Sequence, residues 1–540
     1  TDSASIVATT GNATLNDDMT STGSILIGAA SGKVTAAGLD ADTTLGVTAG
    51  DIDLNGTVTG GGAVTLEATA GDISGTDIDI AGASVELTGP VNATDSAAIV
   101  ATTGDATLND DLTSTGSILI EAASGKVTAA GLDADTTLGL TAEDIDLNGT
   151  VLGGGAVTMT ATAGDISGTD IDIGGASVEL TGTVAATDSA SITATTGDLT
   201  LNNDMTSTGS ILLEAAEGKA TTAGLEADTT LDITADDIEV TGNATAGGAL
   251  SMVAELLGID LQGAVEAASV SLDAEGNVTA TGTITSTAGE IGIEAGGDTG
   301  LAALDAATTL DVIAEDIDLN GAVAGGGAVT IEATAGDISG TDIDIEGASV
   351  ELTGPVTATD SASIVATAGD ATLNDDLTST GSILIEAASG KISATGLDAA
   401  TTLDVTAADI DLDGTVVGGG AVTMEATAGD ISGTDIDIEG ASVELTGPVT
   451  ATDSASIVAT TGDATLNDDM TSTGSILIEA ASGKVIAAGL DADTTLGVTA
   501  GDIDLNGTVT GGGAVTVEAT AGDISGTDID IEGASVELTG

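Results

Sequence analysis

The chain repeats itself, and that restricts its fold before any residue is considered singly. The phrase Thr-Asp-Ser-Ala-Ser, or its Ala-ending variant, starts at Thr1, Thr94, Thr187, Thr359 and Thr452, at spacings of 93, 93, 172 and 93 residues. The long interval equals one 93-residue unit plus one of 79, so one copy has lost 14 residues. The units are 1–93, 94–186, 187–279, 280–358, 359–451 and 452–540, the fourth being short and diverged. Such self-similarity marks a stacked repeat architecture, in which neighbours complete a core that no unit can close alone.

Each unit subdivides. In the first, Ser3–Gly23, Ser24–Thr44, Leu45–Gly62, Ala63–Gly82 and Ala83–Asp95 share one pattern. A strand-like alternation leads, most then pass through a Gly with a polar neighbour, and a second short alternation follows. Four of these sub-repeats have 18–21 residues and the last has 13. Inside the strands the period is two: Asp51-Ile52-Asp53-Leu54 and Asp77-Ile78-Asp79-Ile80 send acids and aliphatics to opposite sides. No window carries the stripe of an amphipathic helix. The pattern predicts an all-β fold, a single-stranded parallel β-helix of about 27 coils of 18–21 residues running continuously over 1–540. At about 4.8 Å per coil it would be a rod of roughly 130 Å. A row of β-sandwiches is the competing architecture, but near-identity of successive sub-repeats favours direct stacking. The 13-residue piece fits a partial coil. The 14-residue loss falls there and the frame then resumes, which makes the sub-repeat the expected structural module.

Composition supports a thin core. Phe, Trp, Tyr, Cys, His and Arg are all absent, and aromatics are what thick cores normally use. Five Lys face 87 Asp and Glu, a net charge of −82. Disorder accompanies such charge when hydrophobicity is low, whereas here 41% of residues are hydrophobic and regularly spaced. The charge predicts repulsion from nucleic acid and anionic membranes, and attraction for divalent cations and basic partners. No run of 18 apolar residues predicts membrane insertion. Without cysteine there is no disulfide framework. Both ends fall within the repeat phase, as expected of a stretch from a longer array.

The phrases ATAGDI, GSILIEA, DIDLNGTV and GGAVTLEA resemble the central repeats of filamentous haemagglutinin-type bacterial exoproteins, and the resemblance spans essentially all 540 residues. It implies a right-handed β-helical shaft on an extracellular or cell-surface adhesin exported by a two-partner route. The family's secretion motif is not present, so export route, receptor-binding tip and cargo do not carry over.

Aligning sub-repeats on the Gly that ends the first strand creates a charged column. It reads Asn12, Lys33, Asp51, Asp72 in the first unit and Asp105, Lys126, Asp144, Asp165 in the second. All five lysines, Lys33, Lys126, Lys219, Lys391 and Lys484, occupy this phase, each followed one sub-repeat later by Asp51, Asp144, Asp237, Asp409 or Asp502. Stacked carboxylates about 5 Å apart repel by roughly 1 kcal/mol per pair in water. A lysine breaks the run and pairs with acids on adjacent coils, either locking register or forming an ordinary solvated ion pair worth about 0–1 kcal/mol.

Other motifs point to ions or to nothing. Asp51-Ile52-Asp53-Leu54-Asn55-Gly56 matches the opening of an EF-hand loop, but the twelfth position is Gly62 where a bidentate Glu is required. A strand plus an Asn-Gly turn accounts for it. Weak calcium binding is expected, if anywhere, at the acidic turns Asp17-Asp18, Asp110-Asp111, Asp375-Asp376 and Asp468-Asp469. The triple glycines starting at Gly60, Gly153, Gly325, Gly418 and Gly511 read as coil corners needing positive φ. Carboxylate pairs could hydrolyse glycosides, but no aromatic, Arg or His is available to bind a sugar. The diverged stretch 247–307 offers only Glu255, Asp260, Glu290 and Glu294.

The expected function is mechanical: the shaft of a secreted or surface-attached fibre, with no catalysis, no cofactor apart from candidate calcium, and self-association, lateral or end to end, as its partnership. The alternative is a calcium-dependent repeat adhesin or matrix protein acting through its acidic face. A polysaccharide-active β-helix enzyme is the third reading.

Overall fold

Alternating aliphatic and polar residues with period two can bury one side of a strand only if another layer covers it. The computed structural model shows how this chain does so. It describes residues 2–540; Thr1, which opens the first sequence unit, lies outside them. Every regular element among the described residues is a β-strand. The chain divides into two compact units, Thr1–Glu275 and Gly276–Gly540. Each is a parallel β-solenoid, and together they hold about 27 coils.

Three strand segments make one coil. In the first unit, Ser24–Ala36 pairs in parallel with Leu45–Leu54, and the register breaks between Ala29 and Lys33. That break separates two sheets. The third is entered at Leu39–Ala41, which pairs with Val58–Gly60. Aliphatic side chains stack inward along each sheet. Ile25, Leu45 and Val64 follow one another on the first, Val34, Ile52 and Ile73 on the second, all at most 1% exposed. A coil contributes a few such side chains, so burial is completed only by the coils on either side.

The 13-residue sub-repeat changes which sheet a motif occupies. It supplies two strand segments, Val85–Thr88 and the start of Val91–Ala101, in place of three. Val85 therefore pairs backward with Val64 and forward with Ala106. Ile73 leads through Val91 to Leu112, and Ile80 through Ile99 to Ile120. Four three-strand coils and a two-strand stretch amount to four and two-thirds turns per 93-residue unit. Successive copies of one motif are thus displaced by a third of a turn. The structural coil, not the sequence sub-repeat, is the module, because pairing needs matched strands and not matched sequence.

The second unit obeys the same rule. Ile392, Ile410 and Ile431 follow one another on one sheet, while Val485, Ile503 and Ile524, the same motif one repeat later, lie on another.

The triple glycines are not positive-φ corners. Among the described residues positive φ is confined to Gly11, Gly89, Gly182, Gly354, Gly447 and Asp528. What Gly61 needs is room: a Cβ there would lie 2.2 Å from the carbonyl oxygen of Asp42 on the preceding coil. The corner packs backbone on backbone, and a side chain would push the coils apart.

Candidate functional site: the acidic corners

Strand-to-strand corners leave backbone N–H groups outside the regular ladder, and an unpaired N–H is destabilising. Asp and Asn meet this need because a short side chain reaches a neighbouring N–H without disturbing the strands. At one corner the Oδ1 of Asn12 accepts the N–H of Lys33 at 2.9 Å, and Asp105 does the same for Lys126 at 2.9 Å. Asp198 accepts from Lys219, Asp370 from Lys391 and Asp463 from Lys484, at 3.0, 2.8 and 2.7 Å. Asp144, Asp409 and Asp502 accept from Asp165, Asp430 and Asp523 on the coil after. The charged column is therefore first a ladder of side-chain acceptors for backbone donors.

The lysines stand opposite their expected partners. Lys33 faces Asp51, Lys126 faces Asp144, Lys219 faces Asp237, Lys391 faces Asp409 and Lys484 faces Asp502 in strand register. Their ammonium groups mostly reach further, to the acid two residues on. Lys33 Nζ lies 2.9 Å from Asp53, Lys126 2.7 Å from Asp146, Lys391 2.5 Å from Asp411 and Lys484 2.7 Å from Asp504. Only Lys219 contacts both, Glu239 at 2.7 Å and Asp237 at 3.2 Å. The reason is alternation: residues two apart point the same way, and the long lysine stem lies diagonally across the coil. The hydrogen bond to Glu239 raises the Lys219 pKa, against partial burial and with further help from Asp237. The lysine side chains are more than a third exposed and their acidic partners a little less, so each pair is an ordinary surface ion pair of about 0–1 kcal/mol.

The five lysines share a sequence phase but not one spatial file, which corrects the column drawn from the alignment. Lys33 is on the sheet of Val34 and Ile73. Lys126 is on the sheet of Ala106 and Val85, and Lys219 on that of Leu199 and Val178. Each 93-residue step shifts the lysine by one sheet, so the file is local, about four residues long.

The acidic turns offered as calcium sites are engaged with backbone. Asp110 accepts the N–H of Gly89 on the coil before at 2.8 Å, and Asp111 that of Gly131 on the coil after at 2.9 Å. Asp375 and Asp468 reach Gly354 and Gly447, each at 3.0 Å. Asp18 and Asp469 reach Gly38 and Gly489. Asp376 accepts from the Thr395 hydroxyl at 3.3 Å, and Asp17, the first-unit counterpart of Asp110, sits exposed on the outermost described coil. The third repeat has Asn203 in the place of Asp110, and its amide oxygen takes the N–H of Gly182 at 3.1 Å. A neutral acceptor thus makes the corresponding contact. The pair is a clasp between three coils, one arm back and one forward. Alignment shows the acids but not these partners, which lie 20–21 residues away.

Among the described residues no three acids gather as a metal cluster. A depression of about 430 Å³ follows a corner past Asp204, Glu226 and Asn243. Smaller ones of about 240 and 330 Å³ recur beside Asn55 and Asn148, each bordered by two aspartates. Of the diverged-stretch carboxylates, Asp260 accepts from the Gln262 amide at 3.2 Å, while Glu255 and Glu290 are exposed. No helix is long and apolar enough to cross a membrane. Comparison with family models, with curated proteins and with solved structures returns no match.

Proposed function

We propose that this chain is a structural shaft: a stretch of a secreted or cell-surface bacterial fibre whose work is mechanical. The observation that carries the reading is the use of polar side chains. Corner Asp and Asn residues hold backbone N–H groups of adjacent coils, in copy after copy, and lysines bridge the coil that follows. Chemistry of that kind builds length. Near-identical repeats multiply one set of contacts, and within each unit the parallel ladder resists being pulled apart because many hydrogen bonds share the load. The likeness of the repeats to haemagglutinin-type adhesins supports the same function. The test is small-angle scattering combined with single-molecule stretching. A thin rod near 130 Å with repeated unfolding steps is the expected result; a compact particle that yields in one step would overturn the reading.

A second reading keeps calcium. The grooves beside Asn55 and Asn148 carry Asp77 with Asp79 and Asp170 with Asp172, and the net charge of −82 draws divalent cations. Melting the chain with and without chelator separates the two. A calcium adhesin loses stability in EDTA, whereas the shaft held by its own backbone clasps does not.

A further inference from the structure

We propose that the Asn-Gly corners are sites of spontaneous backbone modification in the folded protein. The corners are Asn55-Gly56, Asn148-Gly149, Asn320-Gly321 and Asn506-Gly507. The chemistry is intramolecular. The glycine nitrogen attacks the asparagine Cγ, a C–N bond forms, and the side-chain nitrogen leaves as ammonia with the proton. The resulting succinimide takes up water, which opens either carbonyl to give aspartate or isoaspartate.

Three features of the fold favour it. Each asparagine is exposed, with its own N–H tied to the coil before: Asn55 to Ala36, Asn148 to Ala129, Asn320 to Leu301 and Asn506 to Ala487, at 2.7–2.8 Å. The following glycine N–H, the attacking group, takes part in no hydrogen bond among the described residues. Lastly, coil packing crowds the glycine at the first two corners. A Cβ on Gly56 or Gly149 would stand 2.8 Å from the carbonyl oxygen of Ala37 or Ala130. Coil packing therefore retains the least hindered nucleophile, and the corner can escape loss of ammonia only by changing the asparagine. The fifth repeat has made that change. It carries Asp413-Gly414, keeps the Asp413 N–H bond to Ala394 at 2.9 Å, and keeps both flanking strands, Leu403–Leu412 and Thr415–Gly418.

The four corners differ in restraint. The Asn320 amide donates to Asp318 at 3.1 Å, and the Asn506 oxygen accepts the Thr527 N–H at 3.2 Å. Asn55 and Asn148 make no such side-chain bond among the described residues. They should react first. Each event adds a negative charge to a groove that already holds Asp77 and Asp79, or Asp170 and Asp172. The isoaspartate product also lengthens the main chain at the corner.

The experiment incubates the intact chain at mildly alkaline pH, folded and in concentrated urea. Ammonia release, peptide masses and isoaspartyl methyl-acceptor content are followed with time. Asn55 and Asn148 are expected to convert in the folded chain, ahead of Asn109, Asn374 and Asn467, which precede aspartate. An Asn55→Asp chain, patterned on Asp413, should fold and lose the ammonia signal at that corner only. The proposal is overturned if Asn55 and Asn148 convert in urea and stay intact when folded, or if Asn109 keeps pace with them.

Discussion

Asp110 is where the clasp and the calcium readings of the acidic turns part. Its carboxylate takes the N–H of Gly89 at 2.8 Å in a half-buried corner. Gly89 has φ +103°, a conformation that favours glycine and that the clasp helps to hold. A hydrogen bond to a charged group is worth about 1.5–3 kcal/mol when buried, and the comparable bond at a helix N-cap about 0.5–2. With this corner partly in water, Asp110→Ala is expected to cost about 1 kcal/mol locally. Asp110→Asn should stay within about 0.5 kcal/mol of the parent, because Asn203 makes the same bond to Gly182. It also removes one of 87 acidic charges. Solenoids need not unfold in one step, so the assay is native-state hydrogen exchange at the Gly89 amide. A loss of about 1 kcal/mol is roughly a five-fold faster exchange. Alanine should show it, asparagine should not, and EDTA should change neither. If asparagine accelerates exchange as much as alanine does, or chelator alone reproduces the effect, the carboxylate holds a cation and the clasp argument is wrong.

Four other outcomes follow from particular residues. The hydroxyls of Thr222 and Thr299 are buried with no hydrogen-bond partner. Thr222→Val and Thr299→Val should each stabilise by about 1–3 kcal/mol, read as a rise in urea midpoint; a fall would mean a hidden partner. Lys219 has a raised pKa through Glu239, so its contribution is full below the unfolded value of about 10.4 and fades as pH climbs through the higher folded value. The stability gap between the parent and Lys219→Met should hold at neutral pH and close only once pH has climbed past the ordinary lysine value; a gap that closes below neutrality would contradict the assignment. Raising salt should increase the melting temperature, since screening relieves self-repulsion among the acids, and a decrease would show that the ion pairs dominate. Spin labels attached through Lys33→Cys and Lys126→Cys should report different faces, while excising residues 84–95, the two-strand stretch, should bring them to one. Unchanged distances would refute the third-of-a-turn step.

Much of the architecture is legible in the residues themselves. Alternation in Asp51-Ile52-Asp53-Leu54 dictates which side of the strand is apolar, and Ile52 and Leu54 are indeed at most 1% exposed. Tandem near-identity dictates stacking, because every coil offers its neighbour the surface that it presents itself. The local pairing of Lys33 across from Asp51 also follows from alignment. Three things do not. The triple glycines signal a corner, but only the stacked coils show that the constraint is the carbonyl of Asp42 and not a torsion angle. The acid pair at Asp110-Asp111 looks like a cation site until its two arms are seen on Gly89 and Gly131. The lysines align in one column on paper, yet fall on different sheets. Sequence periodicity counts residues, whereas a solenoid counts strands per turn. The two agree over each coil of about twenty residues and part at every two-strand stretch, where strand pairing, set by hydrogen bonds between coils, determines which side of the molecule a repeated motif faces.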